Sequence, residues 1–180
     1  MKNIIDAETL SRTIRRLSAE AVELEKGTEN VVLIGIRTRG VILARRMQRE
    51  IARLEGVQVP LGILDISLYR DDLLDGCDAV FKGSEIGFDL DGRTVVLCDD
   101  VLHTGRSAVA GIETLFRLGR PAKIELLVLV DRGGRELPVR ADFVGKNVPT
   151  AREEYINVRL KELGHGEDSL TITRRDNAAS

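Results

Sequence analysis

Two adjacent aspartates at the end of an apolar run carry the strongest chemical signal in this sequence. In VVLCDDVLHTGRS, Val95 to Ser107, apolar residues lead directly into Asp99 and Asp100. A continuous apolar run is how a buried parallel strand reads, and open α/β sheets hold their ligands at the carboxyl ends of such strands. The loop His103-Thr104-Gly105-Arg106-Ser107 then opens a helical pattern. Backbone N–H groups at a helix start favour a phosphate, and a glycine there lets the backbone come close. The hydroxyls of Thr104 and Ser107 add donors. Carboxylates beside a phosphate cradle suit a ligand with vicinal hydroxyls and a phosphate a few ångströms apart, which describes a ribose 5-phosphate. Apolar residues followed by two aspartates also describe the Mg²⁺ strand of a P-loop NTPase. That reading needs GxxxxGK(S/T) upstream, and the sequence has neither it nor a GxGxxG fingerprint. An Asp pair can also simply cap a helix, but capping does not account for the full string.

A second loop has a related character. Arg37-Thr38-Arg39-Gly40 follows the apolar run VVLIGI, Val31 to Ile36, and begins another helical pattern. Two guanidiniums at a helix start match a diphosphate in charge and geometry. Standing alone, the same residues are equally a solvated turn.

These loops need a frame. Leu10, Ile14, Leu17, Ala21 and Leu24 recur at helical spacing, ending near Lys26-Gly27. A second helix is expected over about Val41 to Leu54, and a third over about Arg106 to Leu118. Strands are expected at Val31–Ile36, Val57–Leu68, Thr94–Asp100 and Ile124–Val130. The alternation in Tyr155–Leu160 and Ser169–Thr173 predicts a terminal hairpin across Gly164-His165-Gly166. Between Tyr69 and Asp91 no periodicity survives, and so long a loop in a compact domain reads as a lid or binding loop. Strands alternating with helices imply an α/β fold, a mainly parallel sheet flanked by helices, with all of residues 1–180 in one domain.

Bulk properties narrow the function classes. The 180 residues carry 27 Lys and Arg against 29 Asp and Glu, a formal charge of -2, so no global field draws nucleic acid and any such contact needs a local basic patch. Cys77 and Cys98 are the only cysteines, too few for a disulfide framework or zinc site, and Cys98 reads as a small core residue. No segment reads as a signal peptide or reaches membrane-spanning length. A cytoplasmic protein without a membrane partner is expected.

The string Val95–Ser107 resembles the phosphoribosyl pyrophosphate (PRPP) signature of type I phosphoribosyltransferases. Three further segments narrow the likeness: IGIRTRG (Ile34–Gly40), DISLYRDDL (Asp65–Leu73) and LVDRGGRELPVRADFVGKNVPT (Leu129–Thr150). With the signature they resemble the pyrimidine operon regulator/uracil phosphoribosyltransferase (PyrR) family, in order, over about residues 31 to 160. The resemblance implies a type I phosphoribosyltransferase fold with a small hood and C-terminal hairpin. It implies transfer from PRPP to uracil, yielding UMP and pyrophosphate, with Mg²⁺ held mainly by PRPP and Asp99 and Asp100 reaching it at most through water. Asp99 and Asp100 then grip the ribose hydroxyls, His103 to Ser107 the 5′-phosphate, and Arg37 to Gly40 the pyrophosphate. Tyr69, Arg70, Asp71 and Asp72 match a loop that closes over the site and brings Arg70 to the leaving group. Asp99, Asp100, Arg39 and Arg70 are the expected catalytic set. The base is expected near Val130, Asp131 and Arg132.

The same likeness implies UMP-dependent binding of pyrimidine-operon leader RNA by a homo-oligomer. Arg135, Arg140 and Lys146 are the expected contacts, extended by Arg12, Arg15 and Arg16 on the first helix. Against that, Asp131, Glu136 and Asp142 interleave with the basic residues, as on a solvated face. The stripe Arg45, Arg49, Arg53 reads as solubility or subunit contact. The match departs at Gly134, where family members commonly carry His, at Ala19, where a polar residue or His is common, and at His103, where Tyr is usual. A regulator with vestigial catalysis and a phosphoribosyltransferase for another base are the competing readings.

Overall fold

Side chains alternate along the apolar strands, and the alternation sorts them onto two faces of one sheet. The computed structural model describes residues 2–69 and 83–174. Its main sheet has five parallel strands in the order β3 (Leu61–Leu64), β2 (Val31–Ile36), β4 (Thr94–Leu102), β5 (Lys123–Asp131) and β6 (Phe143–Asn147). Val31, Leu33, Val96, Cys98, Leu127 and Leu129 face helices α1 (Ala7–Leu24) and α2 (Arg39–Glu55). Val32, Ile34, Val95, Leu97, Leu126 and Val128 face α3 (Arg106–Leu118). With helices on both faces, no β2 residue reaches solvent, which is why β2 shows no polar alternation.

Helix ends follow local chemistry. Asp6 caps α1, its carboxylate accepting from Thr9 N at 2.8 Å. Gly56 closes α2 in the left-handed conformation. Of the stretch Val57–Leu68, only Leu61–Leu64 pairs as a strand, and Ser67–Tyr69 tightens into a 3₁₀ turn, so the longer strand expected from sequence is corrected. Pro60 offers no N–H to a ladder.

A second sheet, antiparallel, has the order β1 (Lys2–Ile5), β8 (Ser169–Arg174), β7 (Glu154–Arg159) and forms the hood. The β7–β8 hairpin is the one expected from sequence. Strands β1 and β6 are not disclosed by periodicity: each is short, and β6, FVGKN, mixes apolar and polar residues around Gly145. No helix among the described residues is long and apolar enough to cross a membrane.

One buried cluster fastens the hood to α2. Arg46 donates to both carboxylate oxygens of Asp168, at 2.6 and 2.9 Å, and through Nε to Glu162 at 2.9 Å. The side chains of Arg46 and Asp168 are only 12% and 10% exposed. The Arg46 guanidinium is the chief cause holding Glu162 below the usual carboxylate range. Burial pushes Asp168 the other way, and Arg46 with the Lys161 N–H overcomes it. Arg46→Ala strands two partly buried carboxylates and is expected to cost about 3 kcal/mol, measured by denaturant unfolding. Both carboxyls have depressed folded pKa values, so their stabilisation exists above the ordinary carboxylate range and vanishes as pH falls through the folded values. Denaturant unfolding midpoints of wild type and variant should therefore converge as pH drops.

Candidate active site

Two helix-start loops and the Asp pair border one open cavity of about 360 Å³. Strand β4 continues to Leu102, so Asp99 and Asp100 lie on its last turns of pleat rather than on the exit loop. Both carboxylates line the cavity. The Asp99 carboxylate accepts from Asp100 N, and that of Asp100 from Val101 N, each at 2.9 Å, which fixes their rotamers. Asp100 Oδ2 also lies 3.8 Å from Arg39 Nε.

Residues 103–107 form the turn that opens α3. Gly105 starts α3 with φ +94°, a left-handed conformation that a side-chain-bearing residue rarely takes. His103, Thr104, Gly105 and Ser107 line the cavity; Arg106 does not, and its Nε instead donates to Glu136 at 3.0 Å. The loop is stitched to the β5–β6 connection, since Thr104 O accepts from Glu136 N at 2.9 Å and Leu137 N at 3.0 Å.

The β2–α2 loop borders the cavity through Arg37, Thr38 and Arg39, and the Arg37–Thr38 peptide bond is cis. Its two guanidiniums differ. Arg37 donates to Gly83 O and to Glu85, the latter at 2.6 Å, and lies 3.9 Å from the buried Asp65. Arg39 donates through Nε to Val158 O of β7 at 3.0 Å, tying α2 to the hood, and its side chain is 46% exposed. Gly40 does not line the cavity. It lies against β4, where an added Cβ would stand 2.2 Å from Cys98 O. Cys98 itself is buried, and that burial pushes its thiol far up in pKa, as a core residue requires.

The expected base residues separate. Val130 is fully buried in the core. Asp131 does not line the cavity: its carboxylate accepts from Gly133 N at 2.9 Å and from Arg135. Burial pushes the Asp131 carboxyl up, yet these donors hold it below the usual range. Only Arg132 of the three lines the cavity, joined by Tyr155 and Ile156 of β7. The Arg132 guanidinium lies 5.8 Å from the Tyr155 ring centroid and donates to Ala151 O at 3.2 Å. Among the described residues, its buried Nε and the buried Thr150 hydroxyl have no hydrogen-bond partner. Tyr155 and Ile156 were legible in sequence only as hairpin alternation, and Thr150 carried no signal.

The basic positions are also unequal. Arg135 donates to Val139 O at 2.8 Å, to His103 O at 2.9 Å and to Asp131, so its guanidinium is engaged within the protein. Lys146 reaches Ile4 O at 3.2 Å. Arg140 is exposed and makes no hydrogen bond or ion pair among the described residues. On α1, Arg12 pairs with Glu8, and Arg16 pairs with Glu20 and donates to Gly145 O at 2.7 Å. Of the expected lid, Arg70, Asp71 and Asp72 lie outside the described residues.

Residues 1–162 match the phosphoribosyl transferase domain family. The fold is similar to the hypoxanthine phosphoribosyltransferase of Trypanosoma cruzi, with TM-score 0.75 and 19% identity over 98% of each chain. Much nearer in sequence is the bifunctional protein PyrR of Thermus thermophilus, 51% identical over 176 residues and 97% of each chain. The chain belongs to the PyrR family. Its likeness to other PyrR proteins is of the same order: 52% identity to that of Roseiflexus sp. over 96% of this chain and 95% of that one, and 47% to that of Listeria monocytogenes over 96% and 97%. PyrR membership makes the chain a phosphoribosyltransferase-fold pentosyltransferase, and the parallel sheet with its antiparallel hood agrees with that.

Proposed function

We propose that this chain transfers the phosphoribosyl group of PRPP to uracil, releasing pyrophosphate and forming UMP. The observation that carries the reading is the shared cavity, whose walls bring together a carboxylate pair, a helix N-terminus and a partly satisfied arginine. The N–H groups that open α3 and the hydroxyls of Thr104 and Ser107 bind the 5′-phosphate. Asp99 and Asp100 accept hydrogen bonds from the ribose hydroxyls and hold C1 between the two ends of the cavity. The C1–O bond to pyrophosphate breaks as the C1–N bond to uracil forms, and the uracil nitrogen gives up its proton to an oxygen of the departing pyrophosphate. The sugar gains cationic character, so the negative Asp pair beside it stabilises the transition state. Arg39 and the backbone of Thr38 face the departing pyrophosphate; Arg37 joins them by exchanging its Gly83 and Glu85 contacts. Arg70 is proposed to close over the same group.

Among the described residues no three His, Cys, Asp or Glu side chains converge on one point. A magnesium ion therefore fits here only as cargo of the diphosphate and ribose oxygens, with Asp99 and Asp100 reaching it through water. Bound there, it would neutralise charge on the leaving pyrophosphate. At the base end, Arg132 Nε and neighbouring backbone groups read the polar edge of the pyrimidine, while Tyr155 and Ile156 cover its face. The test is turnover with PRPP and Mg²⁺ against uracil, hypoxanthine and orotate. UMP formation well above the other products is expected, and preference for a purine would overturn the base assignment.

We further propose that the face carrying Arg140 and Lys146 binds pyrimidine-operon leader RNA, in a homo-oligomer and dependent on UMP. Exposed, uncommitted Arg140 supports this more than the engaged Arg135 does. Arg140→Ala is expected to weaken RNA binding in a filter or mobility assay and to reduce the salt dependence by about one phosphate contact. Uracil turnover should be unchanged, since Arg140 does not line the cavity; loss of both together would assign it a structural role.

A further inference from the structure

We propose that the imidazole of His103 is a side-chain member of the phosphate site and takes up a proton when a dianionic 5′-phosphate enters. This rests on the phosphate reading of residues 103–107, which assigns no role to the side chain of that residue. His103 stands on the cavity wall, two residues before the glycine that starts α3. Its ring leans across the neighbouring turn: a Cβ on Gly134 would lie 2.8 Å from Nε2 and 3.0 Å from Cδ2. The ring thus occupies the space that a side chain at position 134 would need. Its backbone is clamped as well, because Arg135 donates to His103 O at 2.9 Å. The imidazole therefore lies beside Gly134, on a residue that borders the cavity and whose backbone carbonyl Arg135 holds.

The charged groups around it come from the β5–β6 connection, Arg132, Arg135 and Glu136, and from its own loop, where Arg106 is paired with Glu136. Burial is the largest influence and lowers the imidazole pKa; Arg132 and Arg135 lower it further, and Glu136 opposes them. These influences together favour the neutral ring. A phosphate bearing close to two negative charges at that pH reverses the local balance and favours imidazolium. The neutral ring avoids adding to the two guanidiniums when the loop is empty, and the charged ring adds a third cation only when an anion is there. His103 thereby distinguishes a phosphorylated sugar from an unphosphorylated one.

The sequence holds only two histidines, His103 and His165, so their imidazole proton resonances give two resolvable titrations, assigned with His165→Gln. With saturating UMP, the His103 titration should move to higher pH by roughly one unit, a tenfold gain in proton affinity. His165 does not line the cavity and should not move. Calorimetry in two buffers of different ionisation heat should show proton uptake near neutral pH in wild type and none in His103→Gln. The variant should bind UMP several-fold more weakly at pH 6 and nearly normally at pH 8. If UMP binds and neither the His103 titration nor the proton balance changes, the proposal fails while the phosphate site stands. If neither UMP nor PRPP binds, the phosphate reading itself fails.

Discussion

Replacing Asp99 and Asp100 together by Asn should lower UMP formation by roughly a thousandfold or more while leaving the protein folded. Both effects follow from the same geometry. Each carboxylate accepts a backbone N–H from the next residue, at Asp100 N and Val101 N, and an Asn carbonyl oxygen can accept the same bonds. Both side chains are only partly buried, so removing their charge leaves no stranded ion in the core; Arg39, 3.8 Å from Asp100, is itself 46% exposed. What disappears is two negative charges beside a sugar that becomes cationic, and two strong acceptors for its hydroxyls. Removing one preorganised electrostatic contact typically costs a hundredfold to a thousandfold in turnover, and here two go together. Single-turnover kinetics with PRPP and uracil would measure the loss, and a thermal melt would check the fold. Near-normal turnover in the double variant would take the Asp pair out of the mechanism.

Gly40→Ala should be nearly as damaging, for a steric reason. The added methyl would meet Cys98 O at 2.2 Å, Cys98 C at 3.1 Å and the Asp99 Cα at 3.2 Å, all of them backbone atoms that cannot swing aside. The start of α2 must therefore lift away from β4. That movement carries Arg39 off its Val158 contact and displaces the strand segment that presents the Asp pair. Overpacking of this kind costs about 1–3 kcal/mol. Activity should suffer more than stability, because misplacement by about an ångström can cost a hundredfold in rate. Gly166→Ala is the matched control, since a Cβ there would meet nothing within 4 Å. Equal kcat/KM for Gly40→Ala and Gly166→Ala would show that the close approach of α2 to β4 does not position the site.

The sequence was most legible where local chemistry and tertiary environment agree. The runs at Val31–Ile36, Thr94–Asp100 and Ile124–Val130 are apolar because helices cover both faces of the sheet, so composition alone marks them. Helix α3 begins at Arg106, where Gly105 supplies the left-handed turn, and ends at Leu118, before Gly119, within the expected span. The cradle around Thr104 and the Asp pair was readable because one contiguous string carries it. The wall formed by Arg132, Tyr155 and Ile156 was not, because it is built by chain segments far apart in sequence. Tyr155 and Ile156 reach the cavity through the hood, and Thr150 approaches Arg132 only after β6 has turned back, Thr150 N donating to Arg132 O at 3.2 Å. Val130 and Asp131 were assigned with Arg132 by adjacency, but Val130 is taken into the core and the Asp131 carboxylate is taken by Gly133 N–H and Arg135, neither of which sequence discloses. Arg135 likewise looked available, since sequence does not reveal that three acceptors within the fold already claim its guanidinium. Strands β1 and β6 stayed hidden for a simpler reason: four or five residues of mixed polarity carry too little period to detect.

The place of β4 in the strand order has a consequence for how the protein tolerates local opening. With β2 and β5 on its flanks and β3 and β6 beyond them, β4 is the middle of five strands. Amide exchange should be slowest at Val96 and Leu97, whose ladders are shielded on both sides, and fastest at the outer margins. Fraying at either margin leaves the paired acids where they are, so the Asp pair sits on the strand that opens last.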